Sequence, residues 1–285
     1  MSLGRVGVWW SGAWRVEGDE SLDVAAELED LGFGAIWSSG GFNPGLSTRF
    51  GRLLAATRDI AVVSGIVNIW RATPQDIAAA VAQLEEKHPG RFLLGVGASH
   101  GPLVDNYSRP YSHMVEYLDA LDAARPPVPD DRRVLAALGP RMLALARERS
   151  AGAHPYFVPV EHTSWARGVL GDGPLLAPEV TAIVDSDPGQ ARQLARTFTA
   201  GYLTLPNYAE NLRRLGFDDA EVSRGGSDRL VDAVVAWGDV DAIVRRVHEH
   251  VAAGADHVCV QVVSHEAGFP MDAYRRLAPA LLAGT

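Results

Sequence analysis

The stretches AVVSGIV at residues 61–67 and HVCVQVV at residues 257–263 decide the fold class of this chain. Both are almost continuously apolar and rich in valine, a pattern typical of strands that are buried on both faces. Such strands belong to parallel sheets, because the helices that connect successive parallel strands cover the sheet. The two stretches therefore predict a parallel α/β fold.

Apolar runs alternate with amphipathic segments along the rest of the chain. Predicted strands lie at residues 5–10, 35–38, 60–66, 92–96, 133–137, 153–157, 175–184 and 257–262. A helical pattern follows each strand; Thr73 and Pro74, for example, are typical of a helix start, here with a helix to about residue 87. Eight such units favour a single-domain (β/α)8 TIM barrel over residues 1–285, with an open doubly wound sheet as the alternative.

The last predicted connection is longer and less regular than the others. It reaches from residue 199 to about residue 237, with helical pieces near residues 209–215 and 228–235. We therefore expect an irregular helical insertion between strands seven and eight of the barrel.

Composition and charge exclude several classes of function. The formal net charge is -9 and no basic stripe is present, so nucleic acid is not an expected partner. Cys259 is the only cysteine, which rules out an internal disulfide and fits a reducing compartment such as the cytoplasm. The sequence has no apolar run long enough to span a bilayer and no spacing typical of metal ligands, so neither a membrane partner nor a metal is expected.

Aromatic residues gather around the ends of the first three predicted strands. In a barrel of this type the active site lies at the carboxyl ends of the strands, so these side chains are candidates for stacking on a cofactor or lining an apolar pocket. The alternative is that most of them are core. The residues are Trp9, Trp10, Trp14, Trp37, Phe42 and Trp70. Trp9 and Trp10 point to opposite faces of a regular strand, so only one of them faces the interior.

Four segments carry a resemblance to a known family. They are SGIVNIW at 64–70, RFLLGVGASHGPLVDNYSRPYSHMVEYLDALDA at 91–123, ALGPRMLALARERSAGAHPY at 137–156 and PVEHTSWARGVLG at 159–171. In this order they make the chain resemble the luciferase-like monooxygenase superfamily, and more closely its oxidoreductases that use the deazaflavin coenzyme F420. The resemblance implies a cofactor in the barrel mouth, hydride transfer at its central ring and a homodimer.

The resemblance assigns roles to residues after strands three and four. It implies a non-prolyl cis peptide between Gly65 and Ile66, behind the middle ring of the cofactor, and we add Gly97 and Ser99 to the predicted cofactor site. His100 stands where relatives place a proton-donating residue, and an imidazole can donate or accept a proton near neutral pH. The alternatives are an ordinary buried glycine at position 65 and a hydrogen-bonded loop histidine at position 100.

Two predicted helix starts form the candidate phosphate site. Helix N-termini present free N–H groups and a positive dipole end to anions. The resemblance puts the cofactor phosphate around Gly139, His162 and Thr163, although a plain helix start is the alternative for Gly139. Arg167 would be a charge partner, but a solvated surface arginine is the simpler interpretation.

One departure from the family pattern narrows the function. Several deazaflavin-dependent relatives carry a catalytic histidine just after strand two, whereas this chain has Ser38-Ser39-Gly40-Gly41, which argues against a sugar-phosphate dehydrogenase. The leading hypothesis is an F420-dependent oxidoreductase that transfers hydride to or from an unidentified small organic substrate. The alternatives are an FMN-dependent luciferase-like monooxygenase, a non-catalytic flavin- or deazaflavin-binding barrel, and an unrelated phosphate-binding barrel such as a phosphosugar isomerase.

Overall fold

The computed structural model describes residues 2–10, 20–39, 45–266 and 268–283, and within them strands alternate with helices. The strands are β1 (Val6–Trp10), β2 (Ala35–Ser38), β3 (Ala61–Ser64), β4 (Val67–Asn68), β5 (Phe92–Gly97), β6 (Arg133–Leu135), β7 (Gly152–Ala153), β8 (Leu175–Leu176), β9 (Glu179–Ile183), β10 (Val235–Trp237) and β11 (Val258–Val262). The helices are α1 (Glu20–Asp30), α2 (Leu46–Ala55), α3 (Pro74–Lys87), α4 (Pro110–Ala123), α5 (Pro140–Arg149), α6 (Val160–Leu170), α7 (Pro188–Leu203), α8 (Pro206–Arg214), α9 (Asp228–Val234), α10 (Val240–Ala252) and α11 (Met271–Leu281).

The strands close into a barrel, which confirms the predicted (β/α)8 fold. The parallel order runs β9-β11-β1-β2-β3-β5-β6-β7-β8, and β8 and β9 are two pieces of the predicted seventh strand. Pro178 separates the two pieces because it has no N–H to donate to a ladder. Glu179 N donates to Pro155 O at 2.9 Å and Cys259 N donates to Pro178 O at 3.0 Å. These bonds join the seventh strand to both of its neighbours and close the sheet.

The predicted third strand is interrupted where the cofactor site was expected. β3 ends at Ser64, the bond between Gly65 and Ile66 is cis, and β4 resumes at Val67 to pair with β5. The displaced segment passes close to β5, where a Cβ at Gly95 would lie 1.8 Å from Ser64 O and one at Gly97 would lie 2.6 Å from Ile66 Cγ1. The two glycines of β5 therefore make room for the interruption, which explains why they stand in this strand.

The insertion between the seventh and eighth barrel strands consists of α8, α9 and β10. α7 is longer than the sequence indicated and ends at Leu203, and the predicted helical piece 228–235 stops at Val234. The following residues form β10, which pairs with β9 in parallel and was not predicted as a strand. A second hydrophobic cluster, which includes Tyr208, Leu212 and Leu230, packs the insertion onto the barrel end. This packing brings α7 and α8 to the mouth.

A side-chain cap fixes the start of α3, and strand alternation sets the directions of the two tryptophans of β1. The Thr73 hydroxyl accepts a hydrogen bond from Asp76 N at 3.1 Å and caps α3, as the sequence predicts. On β1, Trp10 packs outwards against Phe269 with ring centroids 4.7 Å apart, whereas Trp9 faces the interior. Trp14 and Phe42, which were predicted as part of the same aromatic group, lie outside the described residues.

Candidate functional site

A cavity of about 720 Å³ opens at the carboxyl ends of the strands. Six of the eight residues that were predicted for catalysis or cofactor binding line it, namely Gly65, Ile66, Gly97, Ser99, His100 and Gly139. A second cavity of about 630 Å³ lies at the opposite end, beside Leu3, Asp131 and Asp256. Active sites of (β/α)8 barrels are built at the carboxyl ends of the strands, so the first cavity is the candidate active site. We call it the mouth cavity.

The interruption of the third strand forms one wall of the mouth cavity. The cis bond between Gly65 and Ile66 lies where the resemblance implied it. Asn68, two residues later, accepts a hydrogen bond from Trp70 N at 2.9 Å through Oδ1. Its Nδ2 is buried and has no hydrogen-bond partner in the described part of the chain. A buried amide donor without a partner costs free energy, which a ligand in the cavity would recover.

Ser99 and His100 form the wall that follows β5. Ser99 has a φ of 59°, a left-handed conformation that residues other than glycine seldom adopt and that recurs at functional sites. The His100 ring packs against Tyr208 with centroids 4.9 Å apart, and its Nδ1 is buried with no partner among the described residues. Burial lowers the pKa of His100 below its ordinary value of 6.5, so the imidazole is neutral at pH 7.

His154 and Trp9 form part of the floor of the mouth cavity. Trp9 Nε1 donates to His154 Nε2 at 3.3 Å, so His154 Nδ1 carries the proton and donates to Ala177 O at 2.7 Å. Burial lowers the pKa of His154 to about 4, which keeps the ring neutral. Both ring nitrogens are satisfied within the protein, so His154 supports the floor rather than offering a free group to a ligand.

Two tyrosines that are joined through their hydroxyls also line the cavity. The hydroxyl oxygens of Tyr156 and Tyr202 are 2.8 Å apart, and Tyr156 donates to Gln261 Oε1 at 2.8 Å. Tyr156 follows β7, Tyr202 lies near the end of α7 and Gln261 lies in β11. Burial raises the pKa of Tyr202 to about 12 and that of Tyr156 well above its ordinary value of 10.0, so both hydroxyls stay protonated at neutral pH.

Positive charge collects at the start of α5. Gly139 caps the helix and Pro140 has no N–H, so the first free backbone donors of α5 belong to Arg141 and Met142. The Arg141 guanidinium lies 4.1 Å from the centre of the Tyr111 ring. Arg214, on α8, donates from Nη1 to Leu138 O at 3.4 Å. Both arginines line the mouth cavity, so this end suits an anion. We call it the basic end.

His162 and Thr163 do not line the mouth cavity, because both side chains are fully buried. His162 Nε2 bonds to Leu138 O at 3.0 Å, and Thr163 Oγ1 bonds to His250 Nδ1 at 2.8 Å. Arg167 holds backbone oxygens near the other end of the barrel, among them Gly254 O at 2.9 Å. The structure therefore brings Gly139 to the basic end, where Arg141 and Arg214 also lie, and does not bring His162 and Thr163 there.

A buried carboxyl group inside the barrel was not expected from the sequence. Glu179 on β9 is 1% exposed; its Oε1 accepts from Thr181 Oγ1 at 2.6 Å and its Oε2 from Phe157 N at 3.3 Å. Burial raises the pKa of Glu179 to about 8, so the group is protonated at neutral pH. It does not line the mouth cavity.

Several cavity residues carried no assignment in the sequence analysis. Asn68 and Tyr156 lie within the segments SGIVNIW and ALGPRMLALARERSAGAHPY, directly after strands, so the rule that barrel sites follow strands would have found them. Tyr202 and Arg214 come from the irregular connection, where nothing in the pattern marks them. Ser39, beside the missing histidine of strand two, also lines the cavity, whereas Gly40 and Gly41 lie outside the described residues.

Two further expectations concern metals and membranes. The described residues contain no group of histidine, cysteine, aspartate and glutamate side chains arranged to hold a metal ion. Among the helices of the same part of the chain, none is long and apolar enough to cross a membrane. Cys259 is buried in β11, where burial raises the pKa of its thiol.

Known proteins share this architecture. An F420-dependent secondary alcohol dehydrogenase, in complex with an F420–acetone adduct, superposes with a TM-score of 0.75 at 16% identity, over 97% of this chain and 98% of that one. The coenzyme F420-dependent tetrahydromethanopterin reductase from Methanopyrus kandleri superposes with a TM-score of 0.65 at 16% identity, over 97% of this chain and 96% of that one. A type II Baeyer–Villiger monooxygenase from Pseudomonas putida, in complex with FMN, superposes with a TM-score of 0.66 at 15% identity, over 98% of this chain and 97% of that one. No curated protein sequence matches the chain.

The sequence match to a family goes further than these structural similarities, which at such identities show the fold alone. A family model described as luciferase-like monooxygenase matches residues 10–257, which is most of the chain. The matched range includes the strand interruption, the segment of Ser99 and His100, and the basic end. The chain therefore belongs to the luciferase-like monooxygenase family.

Proposed function

We propose that this protein is an oxidoreductase that binds coenzyme F420 in the mouth cavity and exchanges hydride with a small organic substrate. The observation that carries the proposal is a pairing of two features in one cavity: buried polar atoms of Asn68 and His100 that have no partner among the described residues, and the basic end at Arg141 and Arg214. A ligand with a polar ring and an anionic tail would satisfy both features.

The residues of the mouth cavity fit a deazaflavin in three respects. The side chain of Ile66 packs into the space that the missing β-carbon of Gly97 leaves, so this wall is apolar and suits the face of a flat ring. Asn68 Nδ2 is a donor without a partner in the described chain and suits a ring carbonyl. The basic end suits the phosphate, and a second arginine suits the carboxylates that coenzyme F420 carries beyond it.

When bound, the deazaflavin supplies the hydride chemistry, and the protein supplies binding, orientation and proton transfer. His100 is neutral at pH 7, so it accepts the proton that an alcohol loses on oxidation and returns it in the reverse direction. The aromatic walls at Trp9 and Tyr208 exclude water from the substrate. Arg141, Arg214 and the start of α5 hold the anionic tail.

The alternative function is an FMN-dependent monooxygenase with the same ring site and the same basic end. It is favoured by the similarity to the FMN-bound Baeyer–Villiger enzyme, with a TM-score of 0.66. The similarity to the F420-dependent alcohol dehydrogenase, with a TM-score of 0.75, and the second arginine favour the deazaflavin.

Fluorescence titration of the purified protein with coenzyme F420 and, separately, with FMN tests the proposal. We expect F420 to bind more tightly than FMN, and Arg214→Ala to weaken F420 binding by about tenfold through loss of one charged contact. The matched control is Arg147→Ala, since Arg147 lies on α5 but pairs with Glu148 away from the cavity, and its F420 affinity should equal that of the unaltered protein.

Each other outcome of the titration rejects part of the proposal. Tight FMN binding without F420 affinity would replace the deazaflavin enzyme by the monooxygenase. Binding of neither cofactor would reject a flavin-type site altogether. If Arg147→Ala and Arg214→Ala weaken F420 binding equally, the assignment of the phosphate to the basic end is rejected.

A further inference from the structure

The hydroxyls of Tyr202 and Tyr156 and the amide of Gln261 form one hydrogen-bonded chain that begins at the mouth cavity. Tyr156 has a single hydroxyl proton, which it donates to Gln261 Oε1 at 2.8 Å. Tyr202 must then be the donor in the 2.8 Å contact with Tyr156. In this arrangement the Tyr202 oxygen keeps free lone pairs and can accept a hydrogen bond from a ligand hydroxyl.

The same heavy atoms allow the opposite direction. If the Gln261 amide turns over, its Nε2 donates to Tyr156, Tyr156 donates to Tyr202, and the Tyr202 proton becomes free to bond a ligand. The chain therefore accepts from an alcohol in one state and donates to a carbonyl oxygen in the other. A charged carboxylate can only accept and a charged ammonium or guanidinium can only donate, whereas this hydrogen-bonded chain can do either.

Aromatic rings pack around the hydrogen-bonded chain of Tyr202, Tyr156 and Gln261 and hold it in place. The Tyr202 ring stacks on Phe157 with centroids 5.1 Å apart and contacts Phe198 at 4.9 Å and Tyr208 at 5.5 Å. Trp9 packs on Tyr156 at 5.2 Å. These rings are uncharged, so an ionised group beside the chain would lose its hydration without gaining a counter-charge. An uncharged oxygen atom suits this place.

We propose that the chain of Tyr202, Tyr156 and Gln261 holds the oxygen of an uncharged alcohol or ketone substrate. This inference rests on the proposed function, since it assigns the substrate end of the same cavity. Tyr202 is the residue that contacts the substrate oxygen, and Tyr156 and Gln261 are positioning residues that set the direction of its proton.

The test uses cyclohexanone, cyclohexanol and cyclohexane as probes of equal shape, with ligand-observed NMR to measure their affinities for the full chain without added cofactor. Tyr202→Phe removes one hydroxyl and keeps the ring. It should weaken cyclohexanone and cyclohexanol by about three- to tenfold, the value of one hydrogen bond, and leave cyclohexane unchanged. The infrared stretch of bound ¹³C=O cyclohexanone should shift to lower frequency in the unaltered protein and not in Tyr202→Phe.

Tyr117→Phe is the matched control, since its hydroxyl donates to Ala72 O outside the mouth cavity. It should leave all three affinities unchanged, and thermal melting should show that both variants are folded. Equal weakening of all three probes in Tyr202→Phe, or no weakening at all, overturns the inference. Failure of F420 and FMN to bind would reject the proposed function alone, because the probe measurements need no cofactor.

Discussion

The interior of the barrel and its mouth use the same residue types in opposite ways. In the interior, Trp37 Nε1 donates to His257 Nε2 at 3.0 Å, and His257 donates from Nδ1 to Gly4 O at 2.8 Å, so both ring nitrogens are satisfied. At the mouth, His100 Nδ1 and Asn68 Nδ2 are also buried but have no partner in the described chain. The interior histidine is complete by itself, whereas the mouth leaves polar atoms for a ligand.

This difference separates stability from function within one protein. A histidine whose partners lie in the barrel stabilises the fold, and its loss leaves a partner unsatisfied. A histidine with an open nitrogen costs stability until a ligand binds, which is typical of functional sites. Substitutions in the two regions should therefore change different quantities.

The largest expected effect concerns turnover at the mouth. His100→Ala should lower the rate of alcohol oxidation with F420 by about 100- to 10,000-fold, the usual contribution of general acid–base catalysis. The unfolding free energy should change by less than about 1 kcal/mol, because His100 Nδ1 leaves no hydrogen-bond partner behind among the described residues. His248→Ala, on the exposed face of α10, is the control and should change neither quantity. Unchanged turnover in His100→Ala would remove His100 from proton transfer.

The pH profile of the same reaction sharpens this prediction. The neutral imidazole accepts the proton in alcohol oxidation, and burial lowers the pKa of His100 below 6.5. The rate should therefore fall on acidification with a midpoint below pH 6.5, and this acid limb should be absent from the residual activity of His100→Ala. A limb that persists with the same midpoint would assign it to another group.

The next largest effect concerns stability in the interior. His257→Leu removes the acceptor of the buried Trp37 Nε1 and the donor to Gly4 O. We expect a loss of about 3 kcal/mol in the free energy of unfolding, measured with urea, from unsatisfied polar groups and imperfect packing. A loss no larger than that of His100→Ala would contradict the distinction between the two regions.

A further effect concerns the pH dependence of stability. Burial raises the pKa of Glu179 to about 8 in the folded protein, from an ordinary value of 4.5. A raised folded pKa means that the folded state binds an extra proton between these values, so this contribution is complete below pH 4.5 and is lost as pH rises through about 8. Glu179→Gln mimics the protonated acid and should therefore gain stability relative to the unaltered protein between pH 5 and pH 9, roughly the window set by these pKa values. The measurement is the melting temperature of Glu179→Gln minus that of the unaltered protein, taken at each of the two pH values. An equal difference at both would contradict the claim that Glu179 is buried and protonated.

Much of the fold could be predicted because apolar runs and helix starts are local signals. The eight barrel strands and the start of α3 at Thr73 follow directly from them. β10 was missed because its three residues pair only with β9, and the end of α7 was placed too early because the residues that follow position 198 lack a clear helical period. The seventh strand breaks at Pro178 because proline has no N–H, and the apolar run that predicts this strand gives no sign of the break.

The candidate site could be predicted only where it follows the strands. Gly65, Gly97 and His100 stand directly after or within strands, and their place in the mouth cavity follows from the barrel. His162 and Thr163 stand at a helix start, but their side chains turn inwards to Leu138 and His250, which depends on packing between distant elements. Arg214 and Tyr202 reach the cavity from the insertion, whose position is set by a hydrophobic cluster rather than by local sequence.

The crystal structure of the protein with coenzyme F420 tests the central claim most directly, namely that the unpartnered atoms of the mouth await a ligand. We predict density for the cofactor in the mouth cavity, with Asn68 Nδ2 or His100 Nδ1 within hydrogen-bond distance of the cofactor or of a substrate oxygen, and with His257 unchanged. Cofactor bound in the cavity near Leu3 and Asp256, or bound at the mouth with both atoms still unpaired, would contradict the account.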